Sequence, residues 1–211
     1  LVLIPFLLGA AFVTVWGLGL SSVLTLGLYF AATLLYSTYL KRLALVDAFV
    51  LGGLYVMRLL AGHMATEVPL SPWLLAMSGF LFLSLAFVKR YSELHNKSVA
   101  NDDVVLGRGY SVSDRHFVFV AGITSAFISV LVLSLYVTSD AVGELYATPI
   151  LLWLLCPPLL WWVCRVGLLA SRGSMNEDPI AFAIKDKATY LVGLTAAAVM
   201  LAASTQWPSA V

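Results

Sequence analysis

The sequence predicts an all-α membrane protein, a polytopic helical bundle of about seven transmembrane helices, and three observations lead there. Hydrophobic residues make up 61% of the 211 residues and charged ones 11%, with a mean hydropathy of +0.96. That leaves too little polar surface to cover a soluble globule of this size. Apolar runs close to the roughly 20 residues of a spanning helix recur along the whole chain. The runs show no period-two alternation, and unpaired backbone amides are not tolerated in hydrocarbon, so helices are expected rather than a closed barrel.

The runs fall at about 1 to 17, 22 to 40, 44 to 65, 70 to 88, 117 to 138, 147 to 170 and 188 to 206, which makes one domain with short connections. Lys41 and Arg42 follow the second run, and Lys89, Arg90, Lys97, Arg108 and Arg115 fill the connection after the fourth. Arg165, Arg172, Lys185 and Lys187 close the sixth and open the seventh. The opposite connections carry no Lys or Arg, only Glu67, Asp140 and Glu144. The positive-inside rule then places the basic loops and the N-terminus in the cytoplasm and the C-terminus outside. Two prolines in Glu67-Val-Pro-Leu-Ser-Pro-Trp73 end one helix and start the next. Ser113 or Asp114 is the expected N-cap of the fifth span, and Pro179, capped by Asp178, starts a short helix before the seventh. Trp73, Trp153 and Trp207 fall near interfaces, as an aromatic belt requires. Cys156 and Cys164 lie eight residues apart on one helix, too far for a disulfide, and read as packing residues. The chain opens at Leu1 without a methionine or leader, so an N-terminally truncated domain is expected.

Ionisable residues inside membrane helices are costly unless paired or wetted, which makes them the first candidates for function. Arg58 stands in the third run, eleven residues after Asp47, and Tyr55 and Gly62 share that face. The stripe is expected to point into the bundle, either as a packed arginine bonded to carbonyls or as an anion-facing group in a polar cavity. Tyr36, Lys41 and Arg42 end the second run, Asp47 opens the third, and Lys89-Arg90-Tyr91-Ser92-Glu93 ends the fourth in the same layer. Each cationic helix end alone reads as a snorkelling anchor. Their convergence with a glutamate, the Gly107-Arg108-Gly109-Tyr110 turn and Asp102-Asp103 suits a phosphorylated substrate and a divalent metal. The glycine turn could wrap a phosphate or be a plain turn, and the two aspartates could bind metal or simply be solvated. Asp186, between Lys185 and Lys187, is either a salt-bridged helix start or a wall of the same site. His63, His95 and His116 lack a zinc-ligand spacing, and there is no Ser-His-Asp arrangement or Walker-type loop.

Tyr36-Ser-Thr-Tyr-Leu-Lys-Arg42 with Asp47, Arg58-Leu-Leu-Ala-Gly62, Ser71-Pro-Trp73 and Lys89-Arg-Tyr-Ser-Glu-Leu94 together resemble the UbiA superfamily of intramembrane prenyltransferases. Within it the chain is most similar to the decaprenyl-phosphate phosphoribosyltransferase-like branch and to proteins that fuse a haloacid-dehalogenase-like phosphatase to a UbiA domain. Gly107-Arg-Gly-Tyr110, Leu152-Trp-Leu-Leu-Cys-Pro157 and Arg172-Gly-Ser-Met-Asn-Glu-Asp-Pro179 through Asp186 favour the fused proteins. The resemblance covers nearly the whole chain and implies a nine-helix fold around a central cavity, of which these seven runs are helices three to nine. The family's first acidic motif, NDxxDxxxD, then falls before Leu1.

The resemblance further implies an enzyme of the bacterial inner membrane, acting on a polyprenyl lipid with Mg2+ and a phosphorylated small-molecule donor, and no nucleic-acid partner. Where aromatic prenyltransferases carry a DxxxD-like string, this chain has Lys89-Arg-Tyr-Ser-Glu93, one glutamate with two cations. That suits a more highly phosphorylated donor, so the expected reaction is 5-phosphoribosyl transfer from phosphoribosyl pyrophosphate to polyprenyl phosphate. On this reading Lys41, Lys89 and Arg90 hold the leaving diphosphate and Glu93 holds metal or donor hydroxyls. Tyr36, Asp47, Arg58, Arg108, Tyr110 and Asp186 line the substrate cavity. The rivals are transfer of a prenyl group from prenyl diphosphate and a non-catalytic membrane module anchoring a fused soluble domain, with a transporter further behind.

Overall fold

The computed structural model describes residues 20–66, 71–99, 109–175 and 179–205. They form an all-α bundle: α1 Leu20–Thr38, α2 Val46–Thr66, α3 Pro72–Val99, α4 Arg115–Val137, α5 Asp140–Leu145, α6 Cys156–Ser171, α7 Pro179–Lys185 and α8 Lys187–Ser204. Short 3-10 turns at Leu40–Arg42, Val112–Asp114 and Pro149–Leu155 join them. Six segments among the described residues are long and apolar enough to cross a membrane: Ser22–Arg42, Val46–Met64, Pro72–Asn96, Val112–Val137, Pro149–Ser171 and Lys187–Ser204. Six of the seven expected spans are therefore present, and the first, at 1 to 17, lies outside the described residues. The outward side chains, such as Leu24, Leu191, Leu194 and Leu201, are exposed leucines, as hydrocarbon solvent requires.

α1 packs on α2, α2 on α3 and α3 on α4 in series, while α6 closes on α4 and α8 on α6 and the Pro149–Leu155 turn. α3 is the axis of the bundle. One of its faces meets α2 where a Cβ on Gly52 would stand 3.2 Å from the Leu83 backbone. The other meets α4 where a Cβ on Gly122 would stand 3.2 Å from the Phe87 Cβ. Close helix approach at small residues is the way packing proceeds without a hydrophobic force between helices. Phe87, Leu94, Val118, Trp162, Val166, Ala170 and Met175 make the shared core at the end of the bundle where α3 finishes.

Two boundaries differ from the sequence reading, and one expected N-cap stands in place but makes a different bond. α3 runs eleven residues past the apolar stretch that ends at 88, because Lys89–Val99 contains no helix breaker and Arg90 and Leu94 are buried there. The sixth span is not one α-helix: Pro157 and Pro158 lack amide donors, so they start α6, and the segment before them winds as a 3-10 turn. Asp114 stands at the N-cap of α4, yet its carboxylate accepts from the Ser111 amide upstream (2.8 Å) and gives α4 no cap hydrogen bond. Pro179 does start the short α7; its expected cap Asp178 lies outside the described residues, as does Trp207.

Candidate functional site

The charges at the end of α3 come together with residues of α1, of α2 and of the segment before α4. Arg90 is 1% exposed, and each of its three guanidinium nitrogens donates to a protein oxygen. Nε donates to Oδ2 of Asp47, which is wholly buried at the start of α2. Nη1 donates to both carboxylate oxygens of Glu93 at 2.7 Å, one turn further along α3. Nη2 donates to the Tyr36 hydroxyl at 3.1 Å, from the last turn of α1. A planar fork meeting a buried carboxylate is the geometry that arginine, and not lysine, can supply.

Tyr110 completes the network. Its hydroxyl donates to Oδ1 of Asp47 at 2.7 Å and accepts from the Leu45 amide at 2.8 Å. Burial, then the hydrogen bond to Asp47 and that carboxylate's charge, push the Tyr110 hydroxyl well above its ordinary pKa, so it stays protonated and remains the donor. The amide it receives belongs to a strained residue: Leu45 has φ +64°, a left-handed conformation that a branched side chain seldom adopts. Such strain persists only where the surroundings over-determine it. Here Tyr110, the Leu40–Arg42 turn and the start of α2 hold it.

Gly109 lets Tyr110 reach this position. It has φ +72°, and a Cβ would stand 2.8 Å from the Arg42 carbonyl oxygen and 3.0 Å from the Ala44 nitrogen. Both contacts are with backbone, which cannot rotate aside. Gly109→Ala is therefore expected to destabilise the protein by about 1–3 kcal/mol and to loosen Tyr110 from Asp47. Thermal unfolding of the detergent-purified variant reads this, and an unchanged midpoint would mean that the turn relaxes freely.

Asp47, Tyr36, Arg90, Glu93 and Tyr110 are thus gathered as the sequence suggested, around a buried ion pair the sequence could not specify. Lys41 is half-buried on the 3-10 turn between Tyr36 and Asp47 and has no side-chain partner among the described residues, and Arg42 beside it is exposed. Lys89 is half-buried and adjoins Arg90 on α3. Glu93 is the accessible acid of the group, its side chain 28% exposed. Arg108, Asp102 and Asp103 lie outside the described residues. Among the described residues no set of three His, Cys, Asp or Glu side chains gathers as a metal cage. Cys156 and Cys164 are free thiols.

Two expectations change. Arg58 does not point into the bundle: it is exposed, on the flank of α2 that faces α1. Its Nε donates to the Tyr29 hydroxyl at 3.0 Å, and its guanidinium lies 4.8 Å from the Tyr55 ring and 5.6 Å from the Tyr29 ring. Asp47 and Arg58 do share a helix face, but α3 covers it at Asp47 and at Tyr55, whose ring stacks on Phe82 at 5.0 Å, while Arg58 lies about 16 Å along α2 from Asp47 on the exposed flank. Asp186 is a salt-bridged helix start, although neither flanking lysine is its partner. Arg165 of α6 donates to both carboxylate oxygens of Asp186 at 2.8 and 3.0 Å, and the Asp186 carboxylate caps α8 by accepting from the Thr189 amide at 2.9 Å. The Trp162 indole extends the chain to the Thr189 hydroxyl.

Burial alone would raise the Asp186 carboxyl, but the bonds from Arg165 and Thr189 outweigh it and hold the group below the ordinary carboxylate value. With a lowered folded pKa, its contribution to stability is present above the unfolded value near 4 and disappears as pH falls through the folded value. Asp186→Asn is thus expected to unfold more easily than the parent at pH 7, the two converging as pH drops below about 4. A gap that persists unchanged at pH 3 would remove the carboxylate as its cause.

The chain is 36% identical to the uncharacterized protein y4nM of Sinorhizobium fredii over 183 residues, 85% of this chain and 35% of that protein. It is 31% identical to nodulation protein NoeC of Azorhizobium caulinodans over 158 residues, 75% of this chain and 52% of NoeC. Over 80 residues, 38% of this chain and 26% of the enzyme, it is 39% identical to decaprenyl-phosphate phosphoribosyltransferase of Mycobacterium tuberculosis. The chain spans about a third and about half the length of the first two. No family model matches it.

Proposed function

We infer from this kinship with NoeC and with the decaprenyl-phosphate phosphoribosyltransferases, and from the resemblance to the UbiA superfamily, that the protein is a membrane-embedded transferase acting on a polyprenyl lipid. The finer reading is transfer of a 5-phosphoribosyl group from phosphoribosyl pyrophosphate to a polyprenyl phosphate. The observation that carries it is the buried Tyr36–Asp47–Arg90–Glu93–Tyr110 network, which fixes a mixed-charge surface at one end of the bundle with Lys41 unpartnered beside it among the described residues.

In this reading an oxygen of the lipid phosphate forms a bond to the anomeric carbon of the donor while the bond from that carbon to diphosphate breaks, its electron pair leaving with diphosphate. Catalysis is then placement of fixed charge where charge develops. Lys41 and Lys89 bind the leaving diphosphate. Arg90 is a positioning residue rather than a diphosphate ligand, because it is buried and each of its three guanidinium nitrogens already donates to a protein oxygen. It aims Glu93 at the surface, where that carboxylate can accept from donor hydroxyls. Mg2+, if the donor brings it, fits as an ion held mainly by phosphate oxygens and by Glu93 alone of these residues, where it would neutralise diphosphate charge.

The prenyl diphosphate donor is the competing reading. Membranes containing the protein, supplied with labelled phosphoribosyl pyrophosphate or with labelled prenyl diphosphate, distinguish them. Label is expected in lipid only from the first. Label from prenyl diphosphate alone would overturn the phosphoribosyl assignment, and label from neither would support a non-catalytic membrane module.

A further inference from the structure

The bundle also contains a cavity of about 370 Å3 at the end opposite the Arg90 network. Leu74 and Met77 from the first turns of α3, Leu133 and Tyr136 from the last turns of α4, Leu159 of α6 and Met200 of α8 enclose it. Met77 and Arg90 are thirteen residues apart on α3, about 20 Å along the axis, so the cavity is separate from the network. Its lining is almost wholly apolar, and the lining side chains that carry a hydroxyl or an indole N–H are Ser71, Trp73, Tyr136 and Tyr146. The Trp73 and Tyr136 rings lie 6.4 Å apart there.

The surroundings determine what fills it. Leu74 and Met200 belong to the wall and are also 49% and 45% exposed within membrane-spanning segments, so among the described residues the cavity is open at its side, at hydrocarbon depth. Apolar cavities of about 150 Å3 stay dry in water and accept benzene; this one is more than twice that volume and opens onto alkyl chains instead of water. Leaving it empty forfeits the dispersion contacts of every lining side chain. Aromatic residues with polar tips mark the depth of lipid head groups.

We propose that this cavity is a lipid site, taking one acyl chain of a membrane glycerolipid from the leaflet opposite the Arg90 network, with the head group beside Trp73, Tyr136 and Tyr146. No Lys or Arg lines it, so the chain and not an anionic head group is what it selects. Its volume of about 370 Å3 suits part of a single lipid chain, and its distance from the network, where the lipid phosphate would react, is what sets its occupant apart from the substrate lipid. The lipid is therefore a resident one that completes the packing of α3, α4, α6 and α8.

Native mass spectrometry of the protein released from bilayers of phosphatidylethanolamine and phosphatidylglycerol, with and without polyprenyl phosphate, tests this. The parent is expected to keep one glycerolipid per chain whether or not polyprenyl phosphate is present. Met77→Trp and Ala196→Phe, which fill the cavity, should reduce its retention at least tenfold, while Leu191→Trp on the outer face of α8 should not. No retained lipid, preferential retention of polyprenyl phosphate, or equal retention by the filled variants would overturn the proposal. Since a filled variant can fail to fold, a phospholipid with a photoreactive diazirine in its acyl chain is cross-linked to the parent protein as well. Adducts on Met77 or Leu133 support the site; adducts confined to outer residues such as Leu191 and Leu194 contradict it.

Discussion

Replacing Arg90 by alanine is expected to cost about 3–5 kcal/mol of stability, because it leaves Asp47, wholly buried, as a charge without its counter-ion. It also frees Glu93 and Tyr36 from their common anchor, so three elements lose their registration at once. For a chain of this size the loss corresponds to a fall in unfolding temperature of roughly 6–20 °C. Lysine is not expected to rescue it: an ammonium presents a point charge, where the site needs a planar fork reaching Asp47, Glu93 and Tyr36 from three nitrogens. Removing both charges in Asp47→Asn with Arg90→Met should recover part of the loss, since the penalty arises from the unpaired ion more than from the missing attraction. Single and double variants compared by thermal unfolding in lipid nanodiscs measure the coupling. Additive effects would mean that the pair is not the unit the geometry suggests.

The second large effect is on activity with stability kept. Lys41 is half-buried with no side-chain hydrogen bond or ion pair among the described residues, so Lys41→Ala removes a charge and part of the packing of its stem but no described polar bond. Its unfolding midpoint should stay close to the parent's. If Lys41 holds the leaving diphosphate, transfer should nevertheless fall by about 100- to 1000-fold, the usual loss when one preorganised charge is withdrawn from a developing anion. Glu93→Ala should lower transfer as well, with a modest loss of stability from the freed Nη1 of Arg90.

The contrast between Arg90 and Lys41 marks the limit of the sequence. Both are cations at the ends of apolar runs, and snorkelling, ion pairing and ligand binding look alike in one dimension. Helix-end arithmetic was enough to put Tyr36, Asp47, Arg90 and Glu93 in one layer, since each sits where a run stops. Tyr110 was visible only through its glycine neighbours, which suggested either a phosphate-wrapping turn or a plain one. Gly109 uses its left-handed conformation for a close approach to Arg42 and Ala44.

Arg58 shows a different limit. Periodicity correctly gave the face it shares with Asp47, but a face carries no information about which neighbour covers it at each turn, and among the described residues the Arg58 guanidinium meets the Tyr29 and Tyr55 rings. Asp186 shows a third. The flanking lysines are its neighbours in sequence, yet Asp186 stands in extended backbone between α7 and α8 and turns its carboxylate to the first turn of α8. The true partner, Arg165, lies twenty-one residues earlier and meets Asp186 only because α6 and α8 pack together. The six spans among the described residues were legible because hydrophobic length is a one-dimensional property; the pairings at their ends depend on the bundle.

Phosphoribosyl transfer into polyprenyl phosphate, measured in membranes holding equal amounts of parent protein and Lys41→Ala, tests the catalytic reading most directly when unfolding midpoints are recorded on the same samples. The expected result is labelled lipid from the parent and a drop of two orders of magnitude or more for Lys41→Ala at an unchanged midpoint. Equal transfer by the two proteins would contradict the assignment of the layer around Arg90 as the donor site.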